Sequence, residues 1–174
     1  PHPINVYGEA KLAAERLVQR LLRDYLILRL TGVYGWERQG KNFVMRLISC
    51  LSNSERMKVP IDQVGRPTYA DNMLDAVLEL VEQDQRGIFH VAGGEAMDRY
   101  SFACIAAEIF ALDRSLLLPV TTAELGQKAP RPLKAEICID KVRSIVSTRL
   151  IGPRDGLRLM KEQEQSFLRT QRMI

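Results

Sequence analysis

Tyr7 and Lys11, near the start of the 174-residue chain, have types and a spacing that could move a proton. A free phenol titrates near 10 and is a poor acid–base group at neutral pH. A cation about 4 Å away, at an effective dielectric of about 20, favours a phenolate by at most about 4 kcal/mol. That is enough to bring a phenol into the working range of a general acid or base. Four residues apart on a helix, the two side chains share a face, with Cβ atoms about 5–6 Å apart. The same ammonium could hydrogen-bond a ribose. As a bare pattern the spacing is common, and its ordinary meaning is a surface aromatic beside a solvated charge.

Little else in the composition offers chemistry. His2 and His90 are far apart, and His90 lies within the strand-like run Ile88-Phe89-His90-Val91-Ala92, where a hydrogen-bonded structural histidine is expected. Cys50, Cys104 and Cys138 are odd in number and lack metal-ligand spacing, as expected of reduced thiols in a cytosolic protein; no metal site is expected. A net charge of +4, with Lys and Arg scattered, suits an anionic small ligand better than nucleic acid. The apolar runs are too short for a bilayer, and with no basic-then-apolar-then-small segment at its start no signal peptide is expected.

The elements that must position Tyr7 and Lys11 alternate in type. A helix is expected from Asn5, a residue able to cap, to about Asp24, with Leu12, Ala13, Leu17, Val18, Leu21 and Leu22 at helical spacing. Tyr25–Leu30 reads as a buried strand, Asn42–Leu51 as a helix and Met57–Pro60 as a short strand. A turn-rich stretch over residues 62–68 leads into a helix over 70–83, a strand over 87–92 and a helix over 99–110. Residues 116–119 read as extended, Thr121 or Thr122 caps one helical turn, residues 129–132 form a loop and 137–139 are extended. Two more helices close the chain, the last from about Asp155. The pattern predicts an α/β fold with crossover connections. Two strong strands make an incomplete sheet, and the chain opens at the threshold of a helix. The expectation is therefore a single partial domain over residues 1–174, with a sheet that continues on its N-terminal side.

The ordered motifs resemble one family. Asn5-Val6-Tyr7-Gly8-Glu9-Ala10-Lys11, followed by Leu12-Ala13-Ala14-Glu15, resembles the catalytic helix of extended short-chain dehydrogenases/reductases. Leu28-Arg29-Leu30-Thr31-Gly32-Val33-Tyr34-Gly35 resembles their strand and loop beside the nicotinamide. Gly40–Val44, Asp62–Ala70, Gly87–Gly93 and Arg131-Pro132 before Ile139-Asp140-Lys141 follow in the order seen in dTDP-4-dehydrorhamnose reductases. The resemblance implies the end of a Rossmann-type fold intertwined with a small substrate-binding subdomain. It implies an NADPH- or NADH-dependent reductase of a nucleotide sugar in polysaccharide biosynthesis. Tyr7 would protonate the sugar oxygen, Lys11 would hold the ribose, and Thr31, Gly32, Val33 and Tyr34 would flank the nicotinamide. Asn42, Phe43, Gln63, Pro67 and Thr68 would line the substrate pocket, and Arg131 would meet the diphosphate. The resemblance also leaves room for a homodimer.

Some residues depart from the family pattern. Arg66 stands where the family usually has a small residue, and Lys134 and Cys138 where it often has Asn and Asp. No glycine-rich phosphate loop precedes Tyr7, and Gly32-Val33-Tyr34-Gly35 lacks a third glycine, with Arg38 at that spacing. Two other readings stay open: a non-catalytic binding relative like the methionine adenosyltransferase β subunit, and a nucleotide-sugar epimerase or dehydratase. The run Gln63–Thr68 favours the reductase branch.

Overall fold

The computed structural model describes residues 1–172. Helix α1 (Val6–Leu21) begins where Asn5 accepts the Gly8 N–H on its Oδ1 at 2.8 Å. It ends three residues before the expected Asp24, because Leu22 is already extended. There follow β1 (Leu26–Leu30), β2 (Val33–Tyr34), α2 (Phe43–Ser52), β3 (Met57–Pro60), β4 (Val64–Gly65), β5 (Thr68–Tyr69), α3 (Ala70–Glu82) and β6 (Gly87–Val91). The second half comprises β7 (Met97–Asp98), α4 (Arg99–Ile109), β8 (Leu117–Val120), α5 (Thr122–Leu125), β9 (Lys134–Ala135), α6 (Asp140–Arg143), α7 (Pro153–Glu162) and α8 (Glu164–Arg172).

The capping residues do what their chemistry allows. Asn42 and Asp98 accept backbone N–H groups at the starts of α2 and α4. Thr121 and Glu124 form a reciprocal capping box on α5.

Four small sheets result among the described residues. β1 pairs with β6 in parallel, from Leu26 opposite Gly87 to Leu30 opposite Val91. β2 pairs with β5 and β3 with β8, both in parallel. β4 lies between antiparallel β7 and parallel β9.

Apolar side chains collect in two cores. One joins Phe89 and Val91 of β6 to Ala76 and Leu80 of α3 and to Ile139, Val142, Val146 and Leu150. The other packs Val44, Leu47 and Leu51 of α2 against Val59, Phe102, Leu157 and Met160, with Tyr34 and Tyr69 between them. Ala103, Ala106 and Ala107, all fully buried, let α4 approach its neighbours closely. Helix α1 buries no residue completely. Arg29 of β1 ties it to the sheet through a two-pronged ion pair with Glu15, at 2.9 and 2.6 Å.

Three local expectations need correction. Residues 137–139 form no strand: the His90 imidazole lies with Nδ1 3.1 Å from the Cys138 carbonyl oxygen, so Nδ1 donates, and Ile139 is drawn into the core. The ladder forms instead at Lys134–Ala135. Inside the supposed turn over 62–68 lie β4 and the start of β5. Among the described residues, three helices rather than two follow residue 139. The break between α7 and α8 falls at Gln163, whose side chain bonds the Tyr69 hydroxyl and Asp71, both at 2.8 Å.

Candidate functional site

Tyr7 lies in the first turn of α1, at the positive end of the helix dipole. Lys11, one turn on, holds its Nζ 5.4 Å from the centroid of the Tyr7 ring, so the two share a face as the spacing predicts. Both are open to solvent, Tyr7 with 68% of its surface exposed. The Asn5 Nδ2 donates to the carbonyl of Pro130 at 2.9 Å and draws the loop over residues 126–133 to the start of α1. Asn5, Val6 and Tyr7 then face Lys128–Arg131 across a shallow cavity.

A second cavity, of about 400 Å³, adjoins the first and shares Arg131 with it. One wall is the β1–β2 turn: Thr31, Gly32 and Val33. Gly32 has φ +56, a left-handed conformation that L side chains rarely adopt, and its missing Cβ would stand 3.3 Å from the Arg66 carbonyl oxygen. Opposite this wall come Lys41, Phe43 and Arg46 from the start of α2, Gln63–Pro67, then Met97, Arg99 and Phe102, and finally Arg131, Pro132 and Ala135.

The buried Thr68 hydroxyl holds this wall from behind. It lies 2.7 Å from the Thr31 carbonyl and 2.9 Å from that of Arg66, and it accepts the Gly93 N–H at 3.0 Å. Gly93 must be glycine for the same closeness: a Cβ there would run into the Pro67 carbonyl oxygen. Gln63 donates to Thr122 and Gln127 at 3.0 and 3.1 Å, fixing the near end of the 126–133 loop.

Every charged residue lining this second cavity is a cation: Lys41, Arg46, Arg66, Arg99 and Arg131. Among the described residues none of the five is in an ion pair. Arg99 is held below the usual arginine value by desolvation, then by the positive charges of Arg131 and Arg46. Much of its surface is accessible, but the cavity walls crowd its guanidinium, which lies 5.0 Å from the Phe43 ring centroid. Arg66 is stapled to the carbonyls of Ile137 and Gly93 at 3.1 and 3.3 Å. The geometry is that of a receptor for an anion with an apolar body, since Phe43 and Phe102 stack at 5.8 Å beside the cations.

Seven of the residues expected at a site, Thr31, Gly32, Val33, Phe43, Gln63, Pro67 and Arg131, line this one cavity. Tyr7 borders the adjoining one, with Lys11 beside it. Three others lie elsewhere. The Asn42 amide is spent on capping α2 and on the Gly35 carbonyl and Glu37 carboxylate. Thr68 stands behind the wall. Tyr34 is a core aromatic, 2% exposed, between Tyr69 and Phe102; burial pushes its phenol well up, and its hydroxyl donates to the Pro153 carbonyl. Sequence reasoning missed Lys41, Arg46 and Arg99. For Arg99 there was a signal: a cation in the first turn of a helix opposes the dipole and invites another explanation.

The family model for the RmlD substrate binding domain matches residues 1–165. A dTDP-4-dehydrorhamnose reductase of Sinorhizobium fredii is 32% identical over 162 residues, covering 85% of this chain and 53% of the relative. The methionine adenosyltransferase 2 subunit beta of Xenopus laevis is 31% identical over 153 residues, with coverages of 83% and 45%. The crystal structure of the Bacillus anthracis dTDP-4-dehydrorhamnose reductase in complex with NADP matches with a TM-score of 0.87 at 28% identity, over 94% of this chain and 57% of that one. The chain thus spans about half the length of the proteins it matches. With a family model running from α1 into α8, it belongs to the family of RmlD substrate-binding domains.

Proposed function

We propose that this chain is the substrate-holding half of an NAD(P)H-dependent reductase of a 4-keto deoxy nucleotide sugar. One observation carries the reading: a cavity of about 400 Å³ whose charged lining is wholly positive and which shares Arg131 with the cavity of Tyr7. A sugar nucleotide needs a place for a diphosphate, and guanidinium forks match phosphate oxygens in charge and geometry. Arg99 and Arg131 hold the diphosphate, and Phe43 with Phe102 supplies apolar surface for the base. The sugar extends toward Thr31–Val33 and Tyr7.

Reduced nicotinamide, when bound, supplies the hydride that reaches the keto carbon. Tyr7 gives its phenolic proton to the sugar oxygen as the carbonyl becomes an alcohol. The Lys11 ammonium offsets the charge left on the ring and holds the ribose. The residues present fit the nicotinamide–ribose end of such a cofactor: Tyr7 and Lys11 share one face of α1 and both are open to solvent. They do not include a dinucleotide phosphate site, since the 32–35 glycine turn leads into β2 rather than opening a helix. A binding role without turnover, as a methionine adenosyltransferase β relative would suggest, gives no reason for the Tyr7–Lys11 pair.

Calorimetric titration with dTDP tests the reading. One dTDP binds per chain, Arg99→Ala weakens it at least about tenfold, the worth of a hydrogen bond to a charged group, and NADPH binds weakly. Equal dTDP affinity in Arg99→Ala and the parent would contradict it.

A further inference from the structure

We infer that Asn5 is a positioning residue that couples the proton-donating helix to the loop carrying Arg131. The inference rests on the diphosphate reading above and names how that site is held together. A helix cap needs only an acceptor, and Ser or Asp would serve as well as Asn. What Asn adds is an amide donor, and here that donor is used. Its Oδ1 takes the Gly8 N–H at 2.8 Å, and its Nδ2 reaches 125 residues along the chain to the Pro130 carbonyl at 2.9 Å.

The loop needs such a tether. Pro130 and Pro132 have no N–H to give. The loop is fastened at its ends, by Gln63 to Gln127 and by the Val64 N–H to the Leu133 carbonyl at 2.7 Å. Among the described residues, the Asn5 amide makes the single hydrogen bond to residues 128–132. Without it Arg131 would drift, because it and Arg99 line the same cavity and their like charges repel. One side chain thereby sets the start of the helix bearing Tyr7 and the place of the cation between the two cavities.

Asn5→Ser separates tether from cap, since its hydroxyl still caps but is too short to reach Pro130. Asn5→Ala removes both. Trypsin cleavage after Lys128, followed by mass spectrometry, reads the loop, and calorimetric titration with dTDP reads the cavity. Asn5→Ser should be cleaved there several-fold faster than the parent and bind dTDP about 3–10-fold more weakly, the usual worth of one neutral hydrogen bond. In an Arg131→Ala background it should cost no further affinity, because the tether acts through Arg131. Asn5→Ala should match Asn5→Ser in dTDP affinity while melting lower.

Parent-like dTDP affinity in Asn5→Ser, or the same loss with and without Arg131, overturns the inference. If the parent chain binds no dTDP, the diphosphate reading fails and the cleavage rate decides the tether: faster cleavage keeps it, and unchanged cleavage removes it.

Discussion

Tyr7 and Lys11 can be tested one atom at a time, because each is given work the other cannot do. In a chain that joins this half to a dinucleotide-binding half, Tyr7→Phe should lower kcat on a 4-keto nucleotide sugar by about 10²–10⁴-fold. Cofactor affinity should barely change, since the ring is kept. Lys11→Met should weaken both turnover and NADPH binding, because one ammonium serves phenol and ribose. Steady-state rates with NADPH titration give the contrast. Equal, mild losses in both variants would return the pair to an aromatic beside a surface charge. The shared face of the pair was legible from spacing and is present, with Lys11 5.4 Å from the ring, whereas its chemical role was suggested only by the run of residues around it. The polar residues were less legible. Asn42 and Thr68 looked like ligand contacts, but a short polar side chain beside backbone usually bonds that backbone, and both do.

Among the elements, α3 shows how one carboxylate can fasten a helix to a distant turn. Glu79 accepts the backbone N–H groups of Ser147 and Thr148 at 2.6 and 2.8 Å, and both hydroxyls as well. These donors, the Thr148 hydroxyl first, pull its carboxyl down to about 2. A group lowered on folding stabilises above its unfolded value, near 4.5, and loses that contribution as pH falls toward 2. Glu79→Gln should therefore melt below the parent at pH 7, and the gap should narrow as pH drops below about 4.5. A gap constant with pH, read by calorimetry, would contradict this role. The long elements were legible because each carries a full period of apolar positions: α2 and α3 fall within two residues of expectation. Two-residue strands such as β4, β7 and β9 carry no period. They exist only through their partners, so 137–139 drew the strand assignment that belonged to Lys134–Ala135.

Across the whole molecule, cations that look scattered along the chain converge. A net charge of +4 gives no hint of a cavity with five cations and no acid in its lining. Lys41, Arg46, Arg66, Arg99 and Arg131 come from separate stretches, brought together by α2, the 63–67 segment, the start of α4 and the 126–133 loop. The cost of gathering like charges is relieved when an anion enters, which makes this cavity the centre of the functional account. A crystal structure of this chain with dTDP is the most direct test. The account predicts diphosphate oxygens within hydrogen-bond distance of Arg99 and Arg131, the base against Phe43 and Phe102, and the free phosphate end facing Tyr7. A diphosphate bound away from these two arginines, or a base where the phosphates should be, would contradict it.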